Sequence, residues 1–377
     1  MSTEGFDRDV FGPLVDIEES SLLKLASRIA HQALGLPEEA SGRLIASTSG
    51  SYNIVHIIEL EPATKIVIRV PATGWGSGLT SSEAAQALRS YGATSHFLRE
   101  KTTIRVPQVF DVDTSTNNEI GAPYICTSFV QGKSVGSVWF DTATTEAVRR
   151  NILASVAENM ARLSALSFES IGSIVNKDNM ELGPCLSFER QEDDTVKVKA
   201  SGPFTSVASY LEENTPKDKG ESNVMVDDTG AITGFIDLDH SQTMPRFLGY
   251  SRYPSWITRD WDPLMYGWPA LTDREDPPEK LAYYREFYSQ KLNEALGPDI
   301  ESRSDLALTR KSHIYEAIWI ACLSPANRSD ICRKLIEEAL EITKDDAMDV
   351  FYELGSGEYE DEDEWPILKD NLERLCS

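Results

Sequence analysis

Apolar positions along this chain repeat with two different periods, and the switch between them divides it. From Glu19 to Leu34 (ESSLLKLASRIAHQAL) they fall three and four apart after a Ser-rich start, which predicts an amphipathic helix. RLIAS and YNIVHIIEL follow, with STSG between them, and KIVIRV comes after the turn EPATK. Strand, Gly-containing turn, strand, turn, strand is the order of an antiparallel sheet. A helix is expected over Ser82–Arg99, then two further strands in IRVPQVFDVD and APYICTSFV, which makes five.

From about Thr145 the runs lengthen. Helices are expected over Thr145–Leu166, Glu279–Leu296, Ala307–Leu323 and Ile331–Glu341, and the β signal shrinks to the hairpin VMVDD-TG-AITGFID. The chain therefore reads as a β-rich part, residues 1–130, and a helix-rich part, residues 131–377, without an internal repeat. At 377 residues two packed lobes with a cleft between them are the expectation. The predicted fold class is α+β, with an antiparallel-sheet N-lobe and a mainly helical C-lobe.

Composition adds exclusions. A formal net charge of -25 argues against nucleic-acid binding, which needs a basic face, and against anionic membrane surfaces. It suits a cationic small-molecule acceptor, although a solvated acidic surface is the plainer explanation. The acidic run EYEDEDEW reads in the same way, as a solvated segment. No apolar run of about 18 residues is present to span a bilayer. The start, MSTEGFDRDVFGPLVD, has no apolar core of a secretory signal. The five cysteines (Cys126, Cys185, Cys322, Cys332, Cys376) form no C-x-x-C pair, so neither a disulfide framework nor a zinc site is expected. A cytoplasmic protein is the expectation.

Two phosphate and nucleophile signatures fail on inspection. VQGKS ends like a P-loop, but the Gly required five positions before Gly132 is Thr127, and G-x-S-x-G is absent. None of His31, His56, His96, His240 and His313 lies in H-E-x-x-H.

A different constellation is more informative. Ser49-Gly50-Ser51 forms a turn between two strands, where backbone N–H groups can approach phosphate oxygens with no Cβ in the way. Arg69 lies mid-strand in KIVIRVP, where a cation can reach the same phosphates. In DKGESNVMVDDTGAITGFIDLD, Asn223 opens one strand and Asp237 closes its partner, so antiparallel pairing can bring two hard oxygen ligands together for Mg2+. Asp218 precedes them in a loop, where it can orient an acceptor hydroxyl. An ordinary hairpin with Asp and Asn at its turns is the competing explanation.

These segments, in this order, resemble the aminoglycoside phosphotransferase family of the protein-kinase-like superfamily, particularly its fungal members. SGSYNIVHIIEL with KIVIRVP, IGAPYICTSFVQGKSVGSVW, SGPFTSVASYL, NVMVDDTGAITGFIDLDHSQTMP and PSWITRDWDP carry the resemblance over most of residues 40–345. It implies a bilobal kinase-like fold binding ATP and Mg2+. Ser49, Gly50 and Ser51 would cover the phosphates, and Arg69 would pair with them. Backbone groups of Ser128, Phe129 and Val130 would receive adenine. Asp218 would be catalytic, Asn223 and Asp237 would hold the metal, and Asp239 corresponds to an acid that often follows.

Three departures stand out. Pro216-Lys217-Asp218 replaces the family's His-x-Asp, and only LEENTPK separates Tyr210 from Asp218. The helix acid that would pair with Arg69 is either Glu83 or, on the alignment of FLREKT, the non-acidic Tyr91. The reading is an ATP- and Mg2+-dependent phosphotransferase of a small-molecule hydroxyl. Its alternatives are a pseudokinase that binds nucleotide or a partner without transfer, and an active enzyme lacking an internal segment.

Overall fold

A computed structural model of the chain describes all residues except 1–5, 62, 177–180, 214–222, 240, 272–273, 299, 358–363 and 377. Its helices are α1 (Arg8–Phe11), α2 (Glu19–Leu34), α3 (Ser82–Lys101), α4 (Val135–Trp139), α5 (Glu146–Ala161), α6 (Val207–Glu213), α7 (Pro278–Leu296), α8 (Ile300–Leu323), α9 (Pro325–Leu340), α10 (Lys344–Ser356) and α11 (Glu364–Cys376). Its strands are β1 (Gly42–Ser49), β2 (Asn53–Leu60), β3 (Thr64–Pro71), β4 (Val109–Asp113), β5 (Tyr124–Ser128), β6 (Lys133–Ser134), β7 (Ser173–Asn176), β8 (Glu181–Gly183), β9 (Cys185–Arg190), β10 (Val196–Ser201), β11 (Val224–Val226) and β12 (Ile232–Phe235). The class is α+β.

Two compact units share the chain discontinuously. One gathers Met1–Gly132, Phe168–Glu213 and Thr233–Thr243, and the other Lys133–Ser167, Asn214–Ile232 and Met244–Ser377. A single cut into residues 1–130 and 131–377 does not describe them, because β7–β10 and the end of β12 pack with the first unit.

In the first unit the sheet runs β1-β2-β3-β5-β4, every neighbouring pair antiparallel. Alternation explains the burial: Ile54, Ile58 and Leu60 on β2 and Ile66, Ile68 and Val70 on β3 are fully buried. Leu22, Leu25, Ala26, Ile29 and Ala30 of α2 join the same core, one stripe of a helix with apolar residues three and four apart. That helix stops at Gly35, left-handed at φ 69, whose N–H donates to the His31 carbonyl at 3.1 Å. His56 also sits in the core, its Nδ1 2.8 Å from the Ser47 hydroxyl. Burial lowers its pKa to about 4, so it is a neutral packing residue.

Where no element was expected, between the helix ending at Leu166 and the hairpin VMVDD-TG-AITGFID, residues 173–201 form four strands. β9 and β10 pair from Cys185↔Ser201 to Arg190↔Val196, and the loop between them is closed by Gln191 N–H donating to the Thr195 carbonyl at 2.8 Å. Leu186, Phe188, Val196 and Val198 alternate onto one face and enter the core of the first unit. There the Phe188 ring lies 5.2 Å from that of Tyr52.

The second unit is mostly helical. Trp139 of α4 packs edge-on to Tyr284 of α7, ring centroids 4.9 Å apart. The segment PSWITRDWDP, residues 254–263, supplies buried ionic clamps to it. Arg285 of α7 donates to both oxygens of Asp260 at 2.6 and 2.9 Å, and Asn327 of α9 donates to Asp262 at 2.5 Å. Breaking such a pair on one side strands a buried charge, at a cost of about 3–5 kcal/mol. In the hairpin turn after β11, the Asp227 carboxylate accepts from the N–H groups of Thr229 and Ala231 at 2.8 and 3.1 Å. Among the described residues no helix is long and apolar enough to cross a membrane, and all five cysteines are free. The acidic run falls outside the described residues except for Glu364 and Trp365.

Candidate functional site

Arg69 sits in β3 opposite Val55 of β2 and Ile125 of β5. Alternation turns it away from Ile68 and Val70, off the apolar core face. There its Nη2 donates to both the Asp237 and the Asp239 carboxylates, and its Cζ lies 5.2 Å from the centre of the Tyr91 ring of α3. Asn53, at the start of β2, donates its side-chain amide to Asp239 Oδ2 at 3.4 Å.

Burial grades this cluster. The side chains of Arg69 and Asp239 are 9% and 8% exposed, whereas Asp237 is 32% exposed. Burial works against the Arg69 charge, but Asp239 and then Asp237 hold its pKa above the ordinary arginine value. Burial pushes the Asp239 carboxyl up to about 7, against the pull of Arg69 and with Asp237 adding to the rise. Burial likewise carries the Tyr91 hydroxyl up to about 12. Two observations bear on ligand capacity. The buried Nε–H of Arg69 has no acceptor among the described residues. Asp237 adopts φ 61, a backbone conformation that costs a non-glycine residue free energy and that concentrates at functional sites.

β12 delivers the Asp237 segment to its place. Phe235 N–H donates to the Arg105 carbonyl at 2.8 Å, and the Thr233 hydroxyl to the Gln131 carbonyl at 2.5 Å. Between them, a Cβ on Gly234 would stand 2.8 Å from Val130 Cγ1 and 3.3 Å from the Arg105 carbonyl oxygen, so this close approach requires glycine. The expected adenine contacts fare differently from one another. Ser128 N–H is already spent on the Gln108 carbonyl at 2.8 Å, and Phe129 N–H on that of Lys65 at 3.4 Å. They cannot donate to a base without breaking these bonds, because β5 is still pairing there. Val130 N–H makes no hydrogen bond among the described residues.

The turn Ser49–Ser51 is anchored at its base and open at its tip. Gly50 N–H donates to the Asn53 carbonyl at 2.9 Å, and Ala72 N–H to that of Tyr52 at 2.8 Å. Asn53 thus links the turn to Asp239. Gly50 is not left-handed, and a Cβ on it would meet no atom within 4 Å. The glycine is therefore free space, not a requirement of the fold.

Among the remaining expected residues, Asn223 precedes β11 in the second unit and is half-buried. Asp218 and Pro216 lie outside the described residues. Glu83 is excluded as the partner of Arg69: its carboxylate accepts from the hydroxyls of Ser81 and Ser82, at 2.9 and 3.0 Å, in the first turn of α3. Asn53 and Phe188 carry no motif, and only the three-dimensional arrangement reveals them.

The chemistry of this donor set fits a hard cation. Mg2+ takes one or two protein oxygens and otherwise phosphate and water, and Asp237 keeps its carboxylate partly open to solvent.

The phosphotransferase enzyme family matches residues 78–267, half of the chain, and the chain belongs to that family. It is 29% identical over 134 residues to a subtelomeric hrmA-associated cluster protein of Aspergillus fumigatus, covering 35% of this chain and 24% of that protein. It is 26% identical over 215 residues to an altered inheritance of mitochondria protein 9 of Candida dubliniensis, covering 52% of this chain and 34% of that protein. The chain thus spans about a quarter to a third of these relatives' length. Among solved structures, a putative aminoglycoside phosphotransferase of Ralstonia eutropha aligns at 13% identity with a TM-score of 0.44, covering 95% of this chain and 98% of that one.

Proposed function

We propose that the protein is an ATP- and Mg2+-dependent phosphotransferase acting on a hydroxyl group of a small molecule. The observation that carries this reading is the meeting of Arg69 with Asp237 and Asp239, tied through Asn53 to the open turn at Gly50. In it, Val130 N–H receives the adenine, the turn Ser49–Ser51 covers the phosphates, and the guanidinium of Arg69 takes phosphate oxygens. Asp237 and Asn223 hold Mg2+, which neutralises phosphate charge when bound. Asp218 orients the acceptor hydroxyl and takes its proton. Catalysis of this kind is positioning and charge stabilisation, with little covalent work for the protein. The net charge of -25 favours a cationic acceptor.

The test is a calorimetric titration of ATP with and without Mg2+, on the native chain and on Asp237→Ala. Binding should need Mg2+ and be lost in the variant. ATP binding that ignores both, or no binding at all, overturns the assignment. One sequence feature favours a second reading, nucleotide binding without transfer: Pro216 stands where the family carries a histidine. Mg2+-dependent binding with no ADP release across a panel of hydroxyl acceptors would select it.

A further inference from the structure

In the proposed site the third-strand cation faces no acid from α3. Glu83 is committed to the two serines at the helix start, and the α3 residue against Arg69 is Tyr91, 1% exposed, with its ring 5.2 Å from the guanidinium carbon. The buried carboxylate beside the cation comes from Asp239, two residues beyond the metal-ligand position, and it also accepts from Asn53 of β2. We propose that Asp239 is the positioning residue that aims Arg69, in place of a helix acid, with Tyr91 as the wall on the α3 side.

The difference in burial separates the two carboxylates by role. Asp237, about a third exposed, can turn toward a cation and water; Asp239, at 8% exposure, cannot leave Arg69 without stranding a buried charge. An arginine suits this arrangement better than a lysine. Its planar fork spends one nitrogen on both acids, and its Nε–H is still without an acceptor among the described residues. Asp237-Leu238-Asp239 then brings metal ligand and cation anchor into the site together, with the buried Leu238 between them as an apolar pin. α3 contributes the Tyr91 ring to this arrangement and no carboxylate.

What Arg69 does once aimed rests on the nucleotide reading above; that Asp239 aims it does not. The experiment therefore has two readouts on the purified full chain. The first is a double-mutant cycle of Arg69→Met and Asp239→Asn followed by urea unfolding. The second is the affinity for ATP and for adenosine, with Mg2+ present, of the native chain, Asp239→Asn and Asp239→Asn/Tyr91→Glu. The cycle should be non-additive, the double variant losing no more stability than the worse single. Asp239→Asn should weaken ATP about tenfold or more and adenosine by less than about twofold, since only the phosphates meet Arg69. Tyr91→Glu in that background, which returns an acid from the helix side, should restore most of the loss. Additive unfolding effects overturn the anchor. So does a loss of ATP affinity matched by adenosine and not rescued, which would mark Asp239 as merely structural. If the native chain binds neither compound, the nucleotide reading fails by itself and the unfolding cycle still decides the anchor. If Asp239→Asn does not fold, Asp239→Glu keeps the charge and displaces the carboxylate by one methylene; an unchanged ratio of ATP to adenosine affinity in it overturns the proposal.

Discussion

Phe188→Ala tests whether the β9–β10 hairpin braces the turn that would cover a nucleotide. Phe188 is 3% exposed and shares a core with Leu186, Val196, Val198 and the half-buried Tyr52 and Trp75. Truncating a buried phenylalanine costs about 3–5 kcal/mol, of which the ring pair with Tyr52 accounts for roughly 0.5–1.5 kcal/mol. A two-stranded hairpin is marginal by itself, so most of what holds this one is the apolar face it buries. A loss of that size should therefore detach the hairpin rather than soften the whole unit. At about 1.4 kcal/mol per factor of ten, local opening should rise about a hundredfold or more. Native-state hydrogen exchange reads it directly. The amides of Glu189 and Lys197, the hydrogen-bonded pair beside Phe188, should lose protection by that factor, and the Gly50 amide, bonded to Asn53 next to Tyr52, should lose protection in step. Amides of α7 should keep theirs. If the hairpin opens and the Gly50 amide stays protected, Phe188 does not brace the turn; if neither changes, the packing argument itself is wrong.

Two further outcomes follow from individual positions. His56 is buried with its pKa lowered to about 4, so below its unfolded value of 6.5 the unfolded chain takes up a proton that the folded chain refuses until about 4. Stability from this residue is intact above pH 6.5 and is lost as pH falls toward 4, by about 2 kcal/mol between pH 7.5 and pH 5. Urea unfolding at the two pH values should show that slope in the native chain and a flatter one in His56→Gln; equal slopes would refute it. Gly50→Ala places a methyl group where no protein atom lies within 4 Å. Stability should stay within about 0.5 kcal/mol while ATP affinity falls about tenfold and adenosine affinity holds. Unchanged ATP affinity would remove the turn from the phosphate site.

Periodicity made the first unit's frame legible and hid its decoration. ESSLLKLASRIAHQAL is α2 to the residue, and the five β-branched runs are β1 to β5, because long amphipathic stripes and paired strands each bury a continuous face. β9 and β10 were missed for the converse reason. CLSFER and VKVKAS are six residues each, half of them polar, and their apolar alternation has meaning only against a partner core that lies more than a hundred residues earlier in the chain. α10 and α11 escaped in the same way: each buries one fully enclosed residue, Ala347 and Leu368, in a small cluster with Ile336 of α9.

The site divides along a similar line, between what a residue is and what it faces. Arg69 and Asp237 stand out in sequence because a charge in the middle or at the end of an apolar strand has to be explained. Asp239 has the same signal, yet its partner is 170 residues away and is reached only when β12 docks beside Val130 and Arg105. An acid on α3 is what the resemblance implies, and α3 does reach the cation, but with an aromatic ring in place of a carboxylate. A guanidinium removed from water must find a counter-charge, and with Glu83 tied to serines that demand falls on the segment Asp237-Leu238-Asp239. Arg69 thus has two acids against its single charge, with burial holding the Asp239 carboxyl up to about 7, and the more exposed acid, Asp237, is the one a divalent cation can reach.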